Sequence, residues 1–297
     1  MNQRLRKLLA LAICIAATPL AAQAASTLDK AKASGVITLA YRESSIPFSY
    51  LDDKAKPVGF GVDICDRVVD EVRRVTGRAD LKVERQAVTS ANRIPLLVNG
   101  TIDLECGSTT NNSERAKQVA FAINYFYTGT RFLVRSDSGI KGLADLAHKT
   151  VVSTTGTTNY KIVRSLIAER NLPIELIGAK DHDESALLVE SGRAAAFAMD
   201  DILLYGLRAS ARNPASLAVV GDAIQVEPYA IMVRRDDPAF KQLVDGVLAG
   251  MMKSGEFERL YQKWFMSPIP PRGINLNAPM SKELSDNLKA LSDRPAT

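Results

Sequence analysis

From Val36 onward, two kinds of apolar run alternate along the chain, and this rhythm sets the strongest limit on its fold. Short runs rich in Val, Ile and Leu have strand length and strand composition. Longer runs place apolar residues three and four apart, the period of a helix with one buried face. The pattern predicts strands over 36–41, 81–88, 102–106, 131–135, 150–154, 174–177, 194–199, 217–220 and 229–233. It predicts helices over 62–75, 92–98, 114–120, 142–147, 157–171, 184–190, 202–212, 238–252, 257–265 and 282–291. Gly77 stands where the first long helix would stop, and Ser113 where a helix would be capped. Repeated β-α units predict an α/β fold with mainly parallel sheets covered on both faces.

Two stretches break the rhythm. They are Tyr125-Phe126-Tyr127-Thr128-Gly129-Thr130 and Gln225-Val226-Glu227-Pro228-Tyr229. If both are extended crossings, residues 131–224 form an inserted lobe, and residues 26–124 with 230–297 form the other. Hinge strands then lie at 125–130 and 225–229. Two α/β lobes joined this way leave a cleft at the carboxyl ends of their strands, where ligands bind in open sheets.

The N-terminus has the three parts of a secretory signal. Arg4, Arg6 and Lys7 precede an apolar run over residues 8–20, and Ala22-Gln23-Ala24 offers small residues at cleavage spacing. Cleavage is expected near Ala24 or Ala25, and residues 1–25 are assigned to the signal peptide. Cys14 does not suit a lipid anchor, because bulky Ile13 precedes it inside the apolar run. Removing the signal takes three of the 38 basic residues and no acidic one, leaving 35 against 33. A net charge of +2 without a dense Lys/Arg cluster gives no footprint for nucleic acid. Two cysteines remain, Cys65 and Cys106. Each falls in an apolar run and reads as a small buried hydrophobe, so two free thiols are the favoured reading; a disulfide in an oxidising compartment is the alternative. With no CxxC and only two histidines, His148 and His182, no metal or other cofactor is expected.

The chemistry concentrates at predicted strand ends. Glu105-Cys106-Gly107-Ser108-Thr109-Thr110-Asn111-Asn112-Ser113-Glu114-Arg115 places small hydroxyl residues after a strand, with an arginine five residues beyond Thr110. A guanidinium forks onto a carboxylate. Thr155-Gly156-Thr157-Thr158-Asn159 follows a strand and opens a helix, where free N–H groups and hydroxyls attract an anion. Asp200 ends a buried run and suits an ammonium group. Taken singly, these are a solvated arginine and two ordinary helix caps. Together they complement a free amino acid.

Longer strings resemble one known family. They are Arg42-Glu43-Ser44-Ser45-Ile46-Pro47-Phe48-Ser49-Tyr50, Thr89-Ser90-Ala91-Asn92-Arg93-Ile94-Pro95-Leu96-Leu97 and Cys106-Gly107-Ser108-Thr109-Thr110-Asn111-Asn112. Ala179-Lys180-Asp181-His182, Glu190-Ser191-Gly192-Arg193-Ala194, Met199-Asp200-Asp201 and Lys263-Trp264-Phe265 with Pro268-Ile269-Pro270-Pro271 extend the match. From Ser26 almost to its end, the chain resembles the periplasmic polar amino acid solute-binding proteins of ABC importers, most closely those for glutamate and aspartate. The resemblance implies a two-lobed type II periplasmic-binding-protein fold, with two hinge crossings and a central cleft that closes on its ligand.

Carried onto this chain, the resemblance implies that Arg115, Thr110 and Thr158 hold the ligand's α-carboxylate. Ser108, Thr110 and Asp200 would hold its ammonium, and Arg42, Ser90, Arg93 and His182 its acidic side chain. It further implies a periplasmic monomer without catalytic residues that delivers L-glutamate or L-aspartate to a membrane permease. An exported enzyme of the cyclohexadienyl dehydratase type and a ligand-presenting sensor are the alternatives on the same fold. One departure stands out. Gly59-Phe60-Gly61-Val62-Asp63 carries Gly61 where the family pattern has an acid, which puts the start of the following helix in doubt.

Overall fold

The fold was obtained as a computed structural model, which describes residues 26–296. The expected signal peptide and its cleavage site lie outside the described residues. Among these, no helix is long and apolar enough to cross a membrane.

Two mixed sheets form the two lobes. The first runs Lys82–Ala87, Val36–Tyr41, Leu104–Glu105, Met232–Arg234, Val119–Phe121 in spatial order. The second runs Glu175–Ala179, Thr150–Thr154, Ala196–Asp200, Phe126–Arg135, Leu217–Val220. A small three-stranded sheet, Ser44–Ser45, Ser49–Leu51 and Pro57–Val58, adjoins the first lobe. Helices cover both main sheets.

The expectation of mainly parallel sheets is corrected. Only half of each sheet is parallel: Val36–Tyr41 with its two neighbours, and Thr150–Thr154 with its two. The strand Phe126–Arg135 runs antiparallel to all three of its partners, and Met232–Arg234 to both of its own. The cause lies in the connections. A βαβ crossover returns a strand in the same sense, whereas these two strands enter their sheets from the opposite lobe. The return strand Val226–Tyr229 pairs antiparallel with the first residues of Phe126–Arg135, Val226 opposite Gly129 and Tyr229 opposite Phe126. The two connections between the lobes are thus one two-stranded ribbon.

Aromatic rings gather where this ribbon meets the first lobe. Phe48 packs edge-on against Phe126 and Tyr229, with centroids 4.9 and 5.2 Å away, and Phe126 stacks on Phe265 at 5.1 Å. Edge-on and offset pairs are the arrangements the ring quadrupole favours. The base of the ribbon is therefore anchored.

The helix Phe60–Thr76 follows from its sequence. Ile64, Cys65, Val68, Val69 and Val72 form one buried stripe, and Gly77 ends it in a left-handed conformation, φ 68°. Gly61 does not disturb its start. A Cβ there would lie 3.2 Å from the Phe48 carbonyl oxygen and 3.3 Å from the Cys106 carbonyl carbon, a tight contact that glycine relieves where the helix meets the strand end. Asp63, two residues on, accepts from the Trp264 indole at 2.7 Å and from Lys263 at 2.6 Å.

That close approach also corrects the favoured reading of two free thiols. Cys65 and Cys106 form a disulfide, their Cα atoms 6.0 Å apart. Both are buried hydrophobic positions, as the pattern indicated; they face each other across the helix–strand contact, which the one-dimensional pattern does not show. The expected helix over 114–120 is corrected too. It is a single tight turn, Arg115–Lys117, followed by the strand Val119–Phe121, and Asn112 rather than Ser113 caps it, accepting from the Arg115 N–H at 2.9 Å.

Candidate functional site

All nine residues singled out from sequence are buried, and each lies at a strand's end, at the start of a helical segment or in the loop between. Arg42 follows the strand Val36–Tyr41. Ser90 lies in the loop before the helix Arg93–Val98, which Arg93 opens. Ser108 and Thr110 follow the strand Leu104–Glu105, and Arg115 begins the tight turn. From the other lobe, Thr158 and His182 open the helices Thr158–Glu169 and His182–Glu190, and Asp200 ends the strand Ala196–Asp200. Eight of the nine line one narrow space between the lobes, with a cavity volume of only about 10 Å³, and Arg42 backs it through its contacts with Ser90 and His182.

The lobes are closed on each other. Arg115 donates to the Thr110 carbonyl at 3.0 Å in its own lobe and to the Gly156 carbonyl at 3.1 Å across the cleft. Gly156 has φ 79°, and a Cβ there would sit 2.7 Å from the Ser90 carbonyl carbon, so only glycine permits this approach. Lys161 and Glu114 pair at 2.7 Å across the cleft mouth.

At one end of the space the groups are cationic. Arg42 Nε donates to the Val88 carbonyl at 3.1 Å, and its Nη2 donates to Ser90 Oγ at 3.0 Å and to His182 Nε2 at 3.3 Å. A guanidinium has no acceptor, so His182 Nε2 must accept. The ring proton then lies on Nδ1, 2.9 Å from Thr154 Oγ1. Burial, with Arg42 and Arg93 adding to it, holds His182 well below its usual range. The ring is therefore neutral. Burial and Arg93 likewise bring Arg42 down to about 9. Arg93 lies 3.7 Å from Glu105, a carboxylate with no solvent exposure. Gly107 makes room for this crowding, since a Cβ there would overlap Glu105 Oε1 and press on Arg42 Cγ. Arg42 Nη1, Arg93 Nε and Nη1, and Glu105 Oε1 have no hydrogen-bond partner among the described residues.

At the other end every polar group is partnered. Asp200 accepts from Asn159 at 2.7 Å and from the Tyr229 hydroxyl. It is not the helix cap that its position suggests, since its side chain accepts no backbone N–H there. Burial, then the neighbouring Glu227, pushes Asp200 up to about 7. Thr110 and Thr158 stand 3.3 Å apart, oxygen to oxygen, and both donate to Glu227 Oε2, at 3.2 and 2.6 Å. Burial lowers Arg115 to about 10. Ser108 donates to Ser45 at 3.2 Å.

Sequence reasoning gave Glu105, Glu227, Asn159 and Tyr229 no role. A signal for two of them existed. Glu227 and Tyr229 are two apart in a strand-like run and so share a face, and an acid on the face of a buried tyrosine is unusual unless it has partners. A second, roomier cavity is lined by Phe126, Tyr127, Tyr205 and Tyr261 among others. Its lining includes Asp201 and no cation, so it does not suit an acidic ligand. No cluster of metal-ligating side chains occurs among the described residues.

Residues 37–267 match the bacterial extracellular solute-binding proteins, family 3. The chain belongs to this family. Among its relatives, an L-glutamate/L-aspartate-binding protein of Pseudomonas aeruginosa is 46% identical over 286 residues, covering 96% of this chain and 95% of that one. A glutamate/aspartate import solute-binding protein of Escherichia coli K12 is 47% identical over 272 residues, covering 92% and 89%. Among solved structures, a mutant of the arginine-binding protein of T. maritima superposes with a TM-score of 0.72 at 28% identity, covering 80% of this chain and 98% of that one. An ancestral amino acid-binding protein, described as a precursor of cyclohexadienyl dehydratase, gives 0.68 at 27%, covering 81% and 99%. The two-lobed architecture is therefore the type II periplasmic-binding-protein fold.

Proposed function

We propose that this chain is the periplasmic substrate-binding component of an ABC importer, that it captures L-glutamate or L-aspartate by closing its lobes, and that it passes the ligand to a membrane permease. The observation that carries the acidic specificity is the pair of buried arginines at one end of the cleft. Arg42 and Arg93 keep donor atoms without a hydrogen-bond partner even though Glu105 lies 3.7 Å from Arg93, so an added acceptor group gains bonds that the protein leaves unmade. A side-chain carboxylate offers both arginines an acceptor oxygen in charge-assisted bonds; a neutral amide offers one oxygen and an NH2 group that guanidinium donors cannot use. At the other end, Arg115, Thr110 and Thr158 face the α-carboxylate, and Asp200 with Ser108 faces the ammonium. The names of the Pseudomonas and Escherichia relatives agree with this reading.

Capture involves no chemistry. Residues 125–130 and 225–229 form the hinge between a lobe of residues 26–124 with 230–297 and a lobe of residues 131–224, and rotation about them opens the cleft. The chain works as a monomer. Micromolar affinity, about −8 kcal/mol, is ordinary for such a receptor. The test is calorimetric titration with L-glutamate, L-aspartate, L-glutamine and L-asparagine. The acids should bind at least tenfold more tightly than their amides, and amides that bind as well as the acids refute the specificity.

A further inference from the structure

The α-carboxylate end of the cleft already contains a carboxylate. Glu227 stands on the return strand of the hinge ribbon, buried at 2% exposure. Its Oε2 accepts from Thr158 at 2.6 Å and from Thr110 at 3.2 Å, one hydroxyl from each lobe. These two hydroxyls and Arg115 are the groups that the proposed function assigns to the ligand. Each hydroxyl has a single proton to donate, so a ligand carboxylate and an ionised Glu227 compete for the same two donors. The Glu227 backbone is held in place, because its strand is paired over Val226–Tyr229 with the outgoing strand.

Counting charges reaches the same point. The buried groups around the cleft are Arg42, Arg93 and Arg115 against Glu105, Asp200 and Glu227, which balance when all are ionised. An acidic amino acid adds two carboxylates and one ammonium, one net negative charge that would be left buried without compensation. Neutralising one carboxylate restores the balance. Glu105 faces Arg93, and Asp200 is needed for the ammonium. Glu227 is the one that a second carboxylate would crowd.

Building on the proposed function, we propose that Glu227 is a built-in occupant of the α-carboxylate subsite, and that an acidic amino acid binds by driving a proton from solvent onto it. Once protonated, Glu227 stops competing for the threonine hydroxyls and can donate its own O–H to the ligand. The charged and titratable groups facing it are Arg115 from the tight turn, Asp200 from the strand end of the second lobe and Tyr229 from its own strand, with the two threonine hydroxyls. Burial already raises Glu227, and the Thr158 hydrogen bond, then Arg115 and Thr110, oppose that rise. Asp200, at about 7, is mostly ionised at pH 8 and has little proton to release there.

The test is calorimetry with L-glutamate at pH 8 in two buffers of different ionisation enthalpy, which counts protons taken up on binding. Wild-type protein should take up close to one proton per glutamate. Glu227→Gln, which mimics the protonated acid in shape and charge, should take up almost none and bind more tightly than wild type at pH 8, since each pH unit through which an ionised group must be forced to hold a proton costs about one decade of affinity. Its advantage should shrink toward pH 6. Wild-type protein that binds without proton uptake overturns the inference even if the variant fails to fold. So does a folded variant that matches wild type in proton uptake, or that binds more weakly at pH 8. Wild-type protein giving no heat with either acid refutes the proposed function, and with it the occupant on which the inference rests.

Discussion

The two ends of the cleft are built on opposite principles. At the side-chain end, Arg42, Arg93 and Glu105 are buried with donor and acceptor atoms that nothing in the described protein satisfies. At the anchor end, Thr110, Thr158, Arg115 and Asp200 are fully engaged by Glu227, Gly156, Asn159 and Tyr229. An unsatisfied buried polar group costs about 1–3 kcal/mol, more when charged, so the side-chain end gains most when a complementary group arrives. The anchor end exchanges one set of hydrogen bonds for another and gains less per contact. Discrimination between side chains therefore belongs to the arginines, and geometric capture of any α-amino acid to the anchor.

The largest test of this contrast is Arg115→Ala. Arg115 is the cation that reaches both lobes at the anchor end, and truncating one partner of a buried charge pair costs about 2–5 kcal/mol. Affinity should fall by two orders of magnitude or more for acids and amides alike, as measured by calorimetry. Wild-type affinity in this variant would sink the assignment of the anchor. Arg93→Ala should act differently. It removes one of two cations at the other end, so L-glutamate should lose about 2 kcal/mol or more while L-glutamine loses under 1. Equal losses for both would show that the two ends are not functionally separate.

The Cys65–Cys106 disulfide lies beneath both ends, tying the helix Phe60–Thr76 to the segment that carries Ser108 and Thr110. With 41 residues of sequence separation, closing this loop is worth about 2–4 kcal/mol by chain entropy. Reduction, or Cys65→Ser with Cys106→Ser, should lower the thermal midpoint by roughly 5–12 °C, since about 1 kcal/mol moves a chain of this size by some 2–4 °C. If the cross-link also orders the anchor, affinity for acids and amides should fall together. A selective loss of acids would instead place its influence at the arginine end.

The sequence made the hydrogen-bonding inventory of both ends legible but hid their pairing. Arg115, Thr158 and Asp200 were legible because each stands near the end of a periodic run, and ends of strands and helices leave backbone groups and side chains free for a ligand, whereas Arg42 and Arg93 entered through the family resemblance. Glu105 and Glu227 were not given roles. One lies inside a strand and the other inside a crossing, and their meaning depends on which side chains the fold brings from far along the chain: Thr158 is 69 residues from Glu227. The same limit explains the disulfide and the sheet polarity. Periodicity reports which face of an element is buried, and says nothing of what it is buried against. The tight turn at Arg115–Lys117 was misread as a longer helix because a short apolar run cannot distinguish a strand from a helical turn.

Titration offers the finest test, because the two ends should respond to pH with opposite signs. His182 is held below its unfolded value of about 6.5. Its contribution to stability is complete above that pH and is lost as pH falls, because only the unfolded chain gains the proton there. Asp200 is raised from 3.8 to about 7. Its contribution is present below about 4 and is lost as pH rises toward 7. One proton of difference changes stability by at most about 1.4 kcal/mol per pH unit. By pH 5.5, His182→Gln should therefore have gained about 1 kcal/mol on wild type relative to their difference at pH 7.5, as read from urea denaturation without ligand. Asp200→Asn should show the reverse, gaining on wild type between pH 5 and pH 7.5. Saturating L-glutamate should abolish the Asp200 effect, because the ligand's ammonium compensates the ionised carboxylate. It should also weaken the His182 effect, because an added carboxylate beside the ring favours its protonated form. Stability curves that stay parallel across pH for either variant would mean that its side chain keeps an ordinary titration in the folded cleft, and that the electrostatic contrast between the ends is weaker than their burial implies.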